Sequence, residues 1–233
     1  MKDSVAEEIF KKFPKYIRGI VVGEGVSNFK EEKRLVELLR KEELKVRQNQ
    51  VLQNLSEHPR IASWRSAYLK FGVKPTKHPP SVEALIRRIK KGKSIPFISN
   101  LVALFNYISL KHIVPSGGDD VAKVEGNLYL KFANGYESFT PLGSTAIQHP
   151  IPGEIIYTDD EKVLCRAWNW RNGDQTKIMP NTSKIVINID CLPPVLKKEA
   201  EKITVELAQL VKNFCGGQVN YYLLDKDQTE VEI

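Results

Sequence analysis

Apolar residues recur along the chain at two spacings, and the spacing changes near the middle. In the first half they return every three to four residues, as at Trp64, Tyr68 and Phe71, which is the pattern of an amphipathic helix. Beyond residue 126 the period falls to two, and apolar residues alternate with polar ones from Leu128 to Phe132, as in a strand with one buried face. A helix-rich first half and a strand-rich second half are therefore predicted.

Helix and strand signals divide the chain further. Residues 4–7 match a capping box, so a short helix is predicted from Ser4 to Pro14. The remaining predicted helices cover residues 35–51, 59–71, 82–91, 97–113 and 196–215, and the predicted strands cover 16–22, 126–132, 154–158, 162–167, 184–190 and 219–224.

The order of these elements favours an α+β fold over a doubly wound parallel sheet, because helices come before a run of strands. We expect a helical N-terminal part packed on a mostly antiparallel, sandwich-like β core. Residues 1–58 would supply N-terminal helices and a strand, and residues 59–233 the main domain, within one compact unit overall.

Composition limits the classes of function. No apolar stretch is long enough to cross a bilayer, and the three cysteines form no CxxC pair, so we expect a cytoplasmic protein that does not enter membranes. The four histidines lack ligand spacing, and the turn at residues 23–28 lacks the third glycine of a dinucleotide fingerprint, so we expect neither a metal nor a cofactor. The formal charge of +7 permits a polyanionic partner but is also explained by a solvated surface.

Candidate chemistry lies in the polar, glycine-bearing stretch from Asn106 to Thr182. Residues 115–120 are interpreted as a tight turn that presents amides, a hydroxyl and two carboxylates, although an ordinary glycine-containing helix end explains them equally well. Residues 166–174 concentrate two indoles and two guanidinium groups. Strand alternation would place Trp168 and Trp170 on one face and Asn169 and Arg171 on the other, which predicts a binding pocket.

The same stretch resembles the B3/B4 editing domain of the phenylalanyl-tRNA synthetase beta chain, and in particular free-standing proteins that carry this domain alone. The likeness covers roughly residues 60 to 200 and rests on Asn106-Tyr107, Pro115, Asp120, Glu125-Gly126, Gly135, Glu137, Leu142-Gly143, Asp159, the Trp168 to Arg171 run and Thr182. In the synthetase, this domain hydrolyses the ester of tyrosine misattached to the tRNA for phenylalanine. The resemblance therefore implies hydrolysis of a misacylated tRNA in trans, and an activated ester needs only a positioned water, oxyanion donors and a selective pocket.

Site residues follow from the resemblance together with the local composition. Asp174, Ser116 and Gly117 are the expected catalytic positions, although Gly117 stands where the synthetases have a histidine, so no histidine role is carried over. The aminoacyl moiety and the 3′ end of tRNA are the expected partners. The expected substrate-binding residues are Asn106, Asp119, Asp120, Trp168, Asn169, Arg171 and Thr182, and the expected RNA-binding residues are Arg87, Arg88, Lys90, Lys91 and Lys93.

Two alternatives remain at this point. The loss of the histidine favours a non-catalytic module that binds tRNA or an amino acid in the same pocket. The modest and dispersed positive charge also permits a hydrolase of small amino-acid esters or amides that does not act on RNA.

Overall fold

The computed structural model describes residues 1–29 and 31–233, and within them the chain forms six α-helices and two β-sheets. The helices are α1 (Glu7–Lys12), α2 (Lys33–Gln48), α3 (Pro59–Lys70), α4 (Ser81–Lys90), α5 (Asn100–His112) and α6 (Lys197–Cys215). The strands are β1 (Lys2–Val5), β2 (Ile17–Glu24), β3 (Ser116–Asp120), β4 (Leu128–Phe132), β5 (Ile155–Thr158), β6 (Val163–Arg166), β7 (Arg171–Asn172), β8 (Lys184–Cys191), β9 (Gln218–Leu224) and β10 (Glu230–Glu232).

The larger sheet has the order β10-β1-β4-β5-β6-β7, and the smaller has the order β3-β8-β2-β9. Neighbouring strands run antiparallel except for β1 and β4, which are parallel. The predicted α+β class with a mostly antiparallel core is confirmed. Strands β1 and β2, both from the first 58 residues, lie inside the two sheets rather than at their edges.

Alternation along β8 separates two hydrophobic cores. Ile185, Ile187 and Ile189 face a core shared with α2, α4, α5 and α6. Val186 faces the opposite way, into a second core that includes Leu130 of the larger sheet. Because strand side chains alternate in direction, one strand serves both cores, and the molecule is layered as helices, smaller sheet and larger sheet.

Two local predictions were wrong. Residues 2–5 form β1 rather than the start of a helix, because they pair with β4 and β10 from distant parts of the chain, and the helix begins only at Glu7. Residues 116–120 form strand β3 rather than a tight turn, because they pair with β8 along their whole length. In both places tertiary pairing overrides a local preference.

Candidate functional site

A cleft of about 570 Å³ opens at one end of the two sheets. Strands β3 and β8 form one wall, the turn that follows β6 forms the opposite wall, and α4 and α5 close the sides. Its lining is unusually rich in amides and indoles for an interior surface. These residues are Asn106, Asn169, Asn172, Asn188, Trp168 and Trp170.

The β3 wall offers backbone donors, because β3 is an edge strand that pairs with β8 alone. The amide of Asp190 donates to the carbonyl of Pro115, and that of Asp120 donates to Thr176 on the outer side. In an antiparallel pair, consecutive residues direct their backbone groups alternately toward and away from the partner. The N–H groups of Ser116 and Gly118 therefore point to the free edge of β3, where both residues line the cleft.

Gly117 and Gly118 differ in the space around them. A methyl group at Gly118 would lie 2.7 Å from the carbonyl oxygen of Val186, so the close approach of β3 to β8 requires glycine there. At Gly117 the nearest atom would be 3.7 Å away, on the side chain of Asn172 across the cleft. A side chain at position 117 would therefore make ordinary van der Waals contact with Asn172 and would not clash with the backbone.

Asp119 is the titratable group of the β3 wall. It is 8% exposed, lines the cleft, and accepts a hydrogen bond from the Thr176 hydroxyl (2.6 Å) on one of its two oxygens. Burial raises the pKa of Asp119 to about 7, against the opposing effect of the Thr176 hydrogen bond. A carboxyl group with a pKa near neutrality can exchange protons with a bound molecule or with water.

A second buried carboxyl group, Asp190 of β8, lies at the base of the cleft. Its Oδ1 accepts hydrogen bonds from the hydroxyls of Tyr16 and Tyr157, each at 2.6 Å, and its Oδ2 accepts from Asn169 at 3.3 Å. The hydroxyl of Tyr68 donates to the Asn169 side-chain oxygen (2.8 Å). Burial raises the pKa of Asp190, although the tyrosine hydrogen bonds oppose this effect. The network fixes the base of the cleft.

A buried arginine orients one of the cleft amides. Arg18 forms a bidentate ion pair with Asp3 (2.7 and 2.8 Å) and also donates to Asn188 Oδ1 through two nitrogens. Because the carbonyl end of Asn188 is occupied by Arg18, its NH₂ end is the group left to face the cleft that Asn188 lines.

The opposite wall depends on a turn that sequence alternation did not predict. Ala167 and Trp168 both have positive φ (45° and 64°), so the chain turns after β6 instead of continuing as a strand. Trp168 is completely buried, with edge or tilted contacts to Phe13, Tyr16, Trp64 and Phe71, whereas Trp170 packs on His78 near the surface. The two indoles therefore do not form one flat stacking face.

Two polar groups of the cleft lack partners within the described residues. The Trp168 Nε1 donor and the Ser81 hydroxyl are both buried without a hydrogen-bond partner. Buried polar groups are usually satisfied, so unsatisfied ones in a cleft indicate a place where a bound molecule or water contributes the missing bonds.

The structure brings together most, but not all, of the residues expected from sequence. Those that line the cleft are Asn106, Ser116, Gly117, Asp119, Trp168, Asn169 and Arg171. Asp120, Thr182 and Asp174 are not among its lining residues.

Those three residues have internal partners. The Thr182 hydroxyl donates to Asp120 (2.7 Å), which holds the end of β3 to the segment before β8. The carboxylate of Asp174 accepts from the Gly143 amide (2.8 Å) and from Lys177 (2.8 Å), and these interactions lower its pKa. An anion stabilised in this way is a weaker base than Asp119.

The basic residues near the end of α4 differ in their partners and in their position relative to the cleft. Arg87 pairs with Glu83 (2.6 Å), and Lys90 donates to the carbonyl of Asn49 (2.7 Å). Arg88 lines the rim of the cleft while donating to the carbonyl of Ser94. Lys91 and Lys93 are exposed beyond the helix.

Sequence reasoning missed Asn188, Asp190 and Tyr157. A signal existed in β8, where Asn188 and Asp190 interrupt an apolar run at alternate positions and therefore share one face. Within the part of the chain that the structure covers, no group of three or more His, Cys, Asp or Glu side chains could hold a metal ion. None of the described helices combines the length and apolar character needed to cross a membrane.

Fold and site together define an α+β protein with a polar cleft between two sheets. The B3/4 domain family matches residues 63–215 of the 233-residue chain, which therefore belongs to that family, and the resemblance noted from sequence is confirmed. A solved N-terminal fragment of the phenylalanyl-tRNA synthetase beta-subunit from Pyrococcus horikoshii is similar with a TM-score of 0.43 and 15% identity, over 92% of this chain and 49% of that one. The chain thus spans about half the length of that fragment. No curated protein matches the chain.

Proposed function

We propose that the chain hydrolyses the ester that joins an amino acid to the 3′ end of a misacylated tRNA. The main support is the position of Asp119, a carboxyl group with a pKa of about 7 on the same edge strand as two backbone N–H groups that point to its free edge. A base that is half ionised near neutrality and a pair of donors are what ester hydrolysis by water requires.

In this mechanism the ionised Asp119 takes a proton from a water molecule as its oxygen attacks the ester carbonyl carbon. The N–H groups of Ser116 and Gly118 donate to the oxyanion that develops on the carbonyl oxygen. The bond to the ribose oxygen then breaks, the proton returns to that oxygen, and the products are a free amino acid and a tRNA with an intact 3′ end. No protein nucleophile is needed, because an aminoacyl ester is already activated.

The remaining cleft residues are suited to the aminoacyl group. The amide carbonyl of Asn106 can accept a hydrogen bond from the α-ammonium group of the substrate. Phe105 and Leu85 provide apolar surface for a side chain. Asp174, Asp120 and Thr182 shape the cleft in this scheme without contacting the ester.

Incubation with a panel of mischarged tRNAs tests the proposal, with release of the amino acid as the readout. Asp119→Asn is expected to lower the hydrolysis rate by at least about a hundredfold, because it removes the general base. Asp227→Asn is the matched control, since Asp227 is exposed and lies outside the cleft. If the parent protein accelerates release of no amino acid, the proposal fails. If Asp174→Asn rather than Asp119→Asn removes activity, the base is misassigned.

A second candidate is a non-catalytic module that binds the same aminoacyl end, and it is favoured by glycine at position 117, where the resemblance implies a histidine in the synthetases. A non-hydrolysable aminoacyl-adenosine amide separates the two. A catalyst binds it and hydrolyses the matching ester, with Asp119→Asn losing turnover while largely retaining affinity. A pure binder shows the affinity and no turnover in either form.

A third candidate is a hydrolase of small amino-acid esters or amides. The dependence of the hydrolysis rate on salt concentration distinguishes it from a tRNA-ester hydrolase. The affinity for a tRNA ester, and with it the rate of hydrolysis, is expected to fall steeply as the salt concentration rises, because counterions are released when phosphates are bound. Hydrolysis of a small neutral ester is expected to depend little on salt.

A further inference from the structure

A second, smaller pocket of about 280 Å³ lies between the end of α1, one side of α3 and the segment after β8. Its floor is apolar, formed by Phe13, Ala67 and Leu192 with neighbouring prolines. Phe13 packs against Trp168 (5.0 Å between ring centroids), and Trp168 lines the cleft but not this pocket. The small pocket is thus a separate site on the far side of the Trp168 aromatic cluster.

The polar groups around the pocket are all donors or hydroxyls. Three lysines, Lys12, Lys15 and Lys70, surround it together with the hydroxyls of Ser63 and Ser66, and no carboxylate lines it. Three ammonium groups around one apolar floor repel one another unless an anion lies among them. The lining therefore selects for negative charge.

The lysines are not neutralised by the protein. Among residues 1–29 and 31–233, none of these three ammonium groups forms an ion pair. Glu7 of α1 pairs with Lys11 (3.5 Å) rather than with Lys12. Lys12 and Lys70 contact the aromatic faces of Phe132 (5.4 Å) and Phe13 (6.0 Å) instead, interactions that leave the positive charge in place.

Helix polarity explains part of this arrangement but not all of it. Lys12 and Lys70 lie in the last turns of α1 and α3, where a cation also complements the helix dipole. Lys15 lies in the loop after α1 and has no such role. The helix dipole explains why each lysine lies at a helix end, but it does not explain why both lie at the same pocket together with hydroxyl groups.

We propose that this pocket binds a phosphate ester. A phosphate group accepts hydrogen bonds from ammonium and hydroxyl donors together, and the apolar floor suits the carbon skeleton attached to it. The volume of about 280 Å³ is several times the roughly 30 Å³ that one water occupies in the liquid, so it accommodates more than a single ion. The phosphate ester can come from an RNA backbone or from a small phosphorylated molecule.

Binding of two probes, deacylated tRNA and AMP, distinguishes these sources. The test variant is Lys15→Gln/Lys70→Gln, and the matched control is Lys198→Gln/Lys202→Gln, which removes the same charge from exposed lysines of α6 outside the pocket. Thermal unfolding of each variant confirms that it is folded.

If RNA is the source, the test variant binds tRNA at least about tenfold more weakly than the control, and the slope of log affinity against log salt concentration falls by about two, one for each lost phosphate contact. If a small molecule is the source, the parent and the control bind AMP saturably and the test variant does not, while their affinity for tRNA is equal. Equal binding of both probes by the test and control variants, or no binding of either probe by the parent, overturns the proposal. Since neither probe carries an aminoacyl ester, a failure of the proposed hydrolysis in the cleft leaves this test unaffected.

Discussion

Replacing Asp119 with asparagine provides a quantitative test of the cleft, because it removes a charge without changing the size of the side chain. The amide oxygen of the variant can still accept the hydrogen bond of Thr176, so the local geometry is retained. Each pKa unit corresponds to about 1.4 kcal/mol, so a rise from 3.8 to about 7 makes the ionised form of Asp119 cost the folded protein about 4 kcal/mol.

The direction in which the free energy of unfolding changes with pH follows from proton binding. Between about pH 4 and pH 7, the unfolded chain has released the Asp119 proton while the folded protein still retains it, so this residue makes the wild type less stable as the pH rises. The variant cannot ionise there. The free energy of unfolding of Asp119→Asn minus that of the wild type is therefore expected to increase by about 4 kcal/mol across this interval.

Urea denaturation at a series of pH values measures the difference. The other buried carboxyl groups, such as Asp3 and Asp190, are present in both proteins and contribute to both denaturation curves. Asp227→Asn serves as the control for removal of one exposed carboxylate outside the cleft. A difference between Asp119→Asn and the wild type that stays constant across the interval would refute the assignment of a raised pKa, and with it the argument for a base at this position.

Five further substitutions test the packing by the same denaturation assay. Gly118→Ala should cost about 1–3 kcal/mol, since its methyl group meets a β8 carbonyl oxygen, whereas Gly117→Ala should stay within about 0.5 kcal/mol; equal costs would contradict the contrast in space. Arg18→Ala should cost about 3–5 kcal/mol because it leaves a buried carboxylate unpaired, and a near-neutral result would count against the ion pair. Trp168→Ala should cost about 3–5 kcal/mol, and Trp170→Ala clearly less; the reverse order would show that Trp168 is not the core indole.

The long periodic elements could be predicted from the sequence because their signals are local. Helices α2 to α6 and strands β2, β4, β5, β6, β8 and β9 all overlap the predicted segments. Strands β1 and β3 could not be predicted in this way. Residues 2–5 pair with residues near 128 and 230, and the Ser-Gly-Gly-Asp-Asp sequence of β3 has low intrinsic strand preference, so both depend on partners that are distant in the chain.

The site was only partly predictable for a related reason. The two indoles were correctly singled out as unusual, but the alternation rule assumes an extended backbone, and positive φ at Ala167 and Trp168 breaks it. Trp168 consequently enters the core instead of sharing a face with Trp170. Asp190 was missed because a single acid at the end of an apolar strand gives no motif, although its alternation with Asn188 indicated a shared polar face.

Position 117, which the resemblance singles out, lies on the same face of β3 as Asp119. Strand side chains two residues apart point the same way, so positions 117 and 119 of β3 share the face that lies opposite Asn188 and Val186 of β8. A histidine at position 117 would project toward Asn172 and occupy the cleft; with glycine there, the titratable group left on that face is Asp119, whose pKa is raised to about 7. That value is close to the ordinary pKa of an imidazole, so Asp119 can exchange protons near neutral pH on the same strand face as position 117. This predicts that log(kcat/KM) for ester hydrolysis rises with pH and levels off above about pH 7, because the ionised form of Asp119 is the active base; a rate that is independent of pH across this range would contradict it.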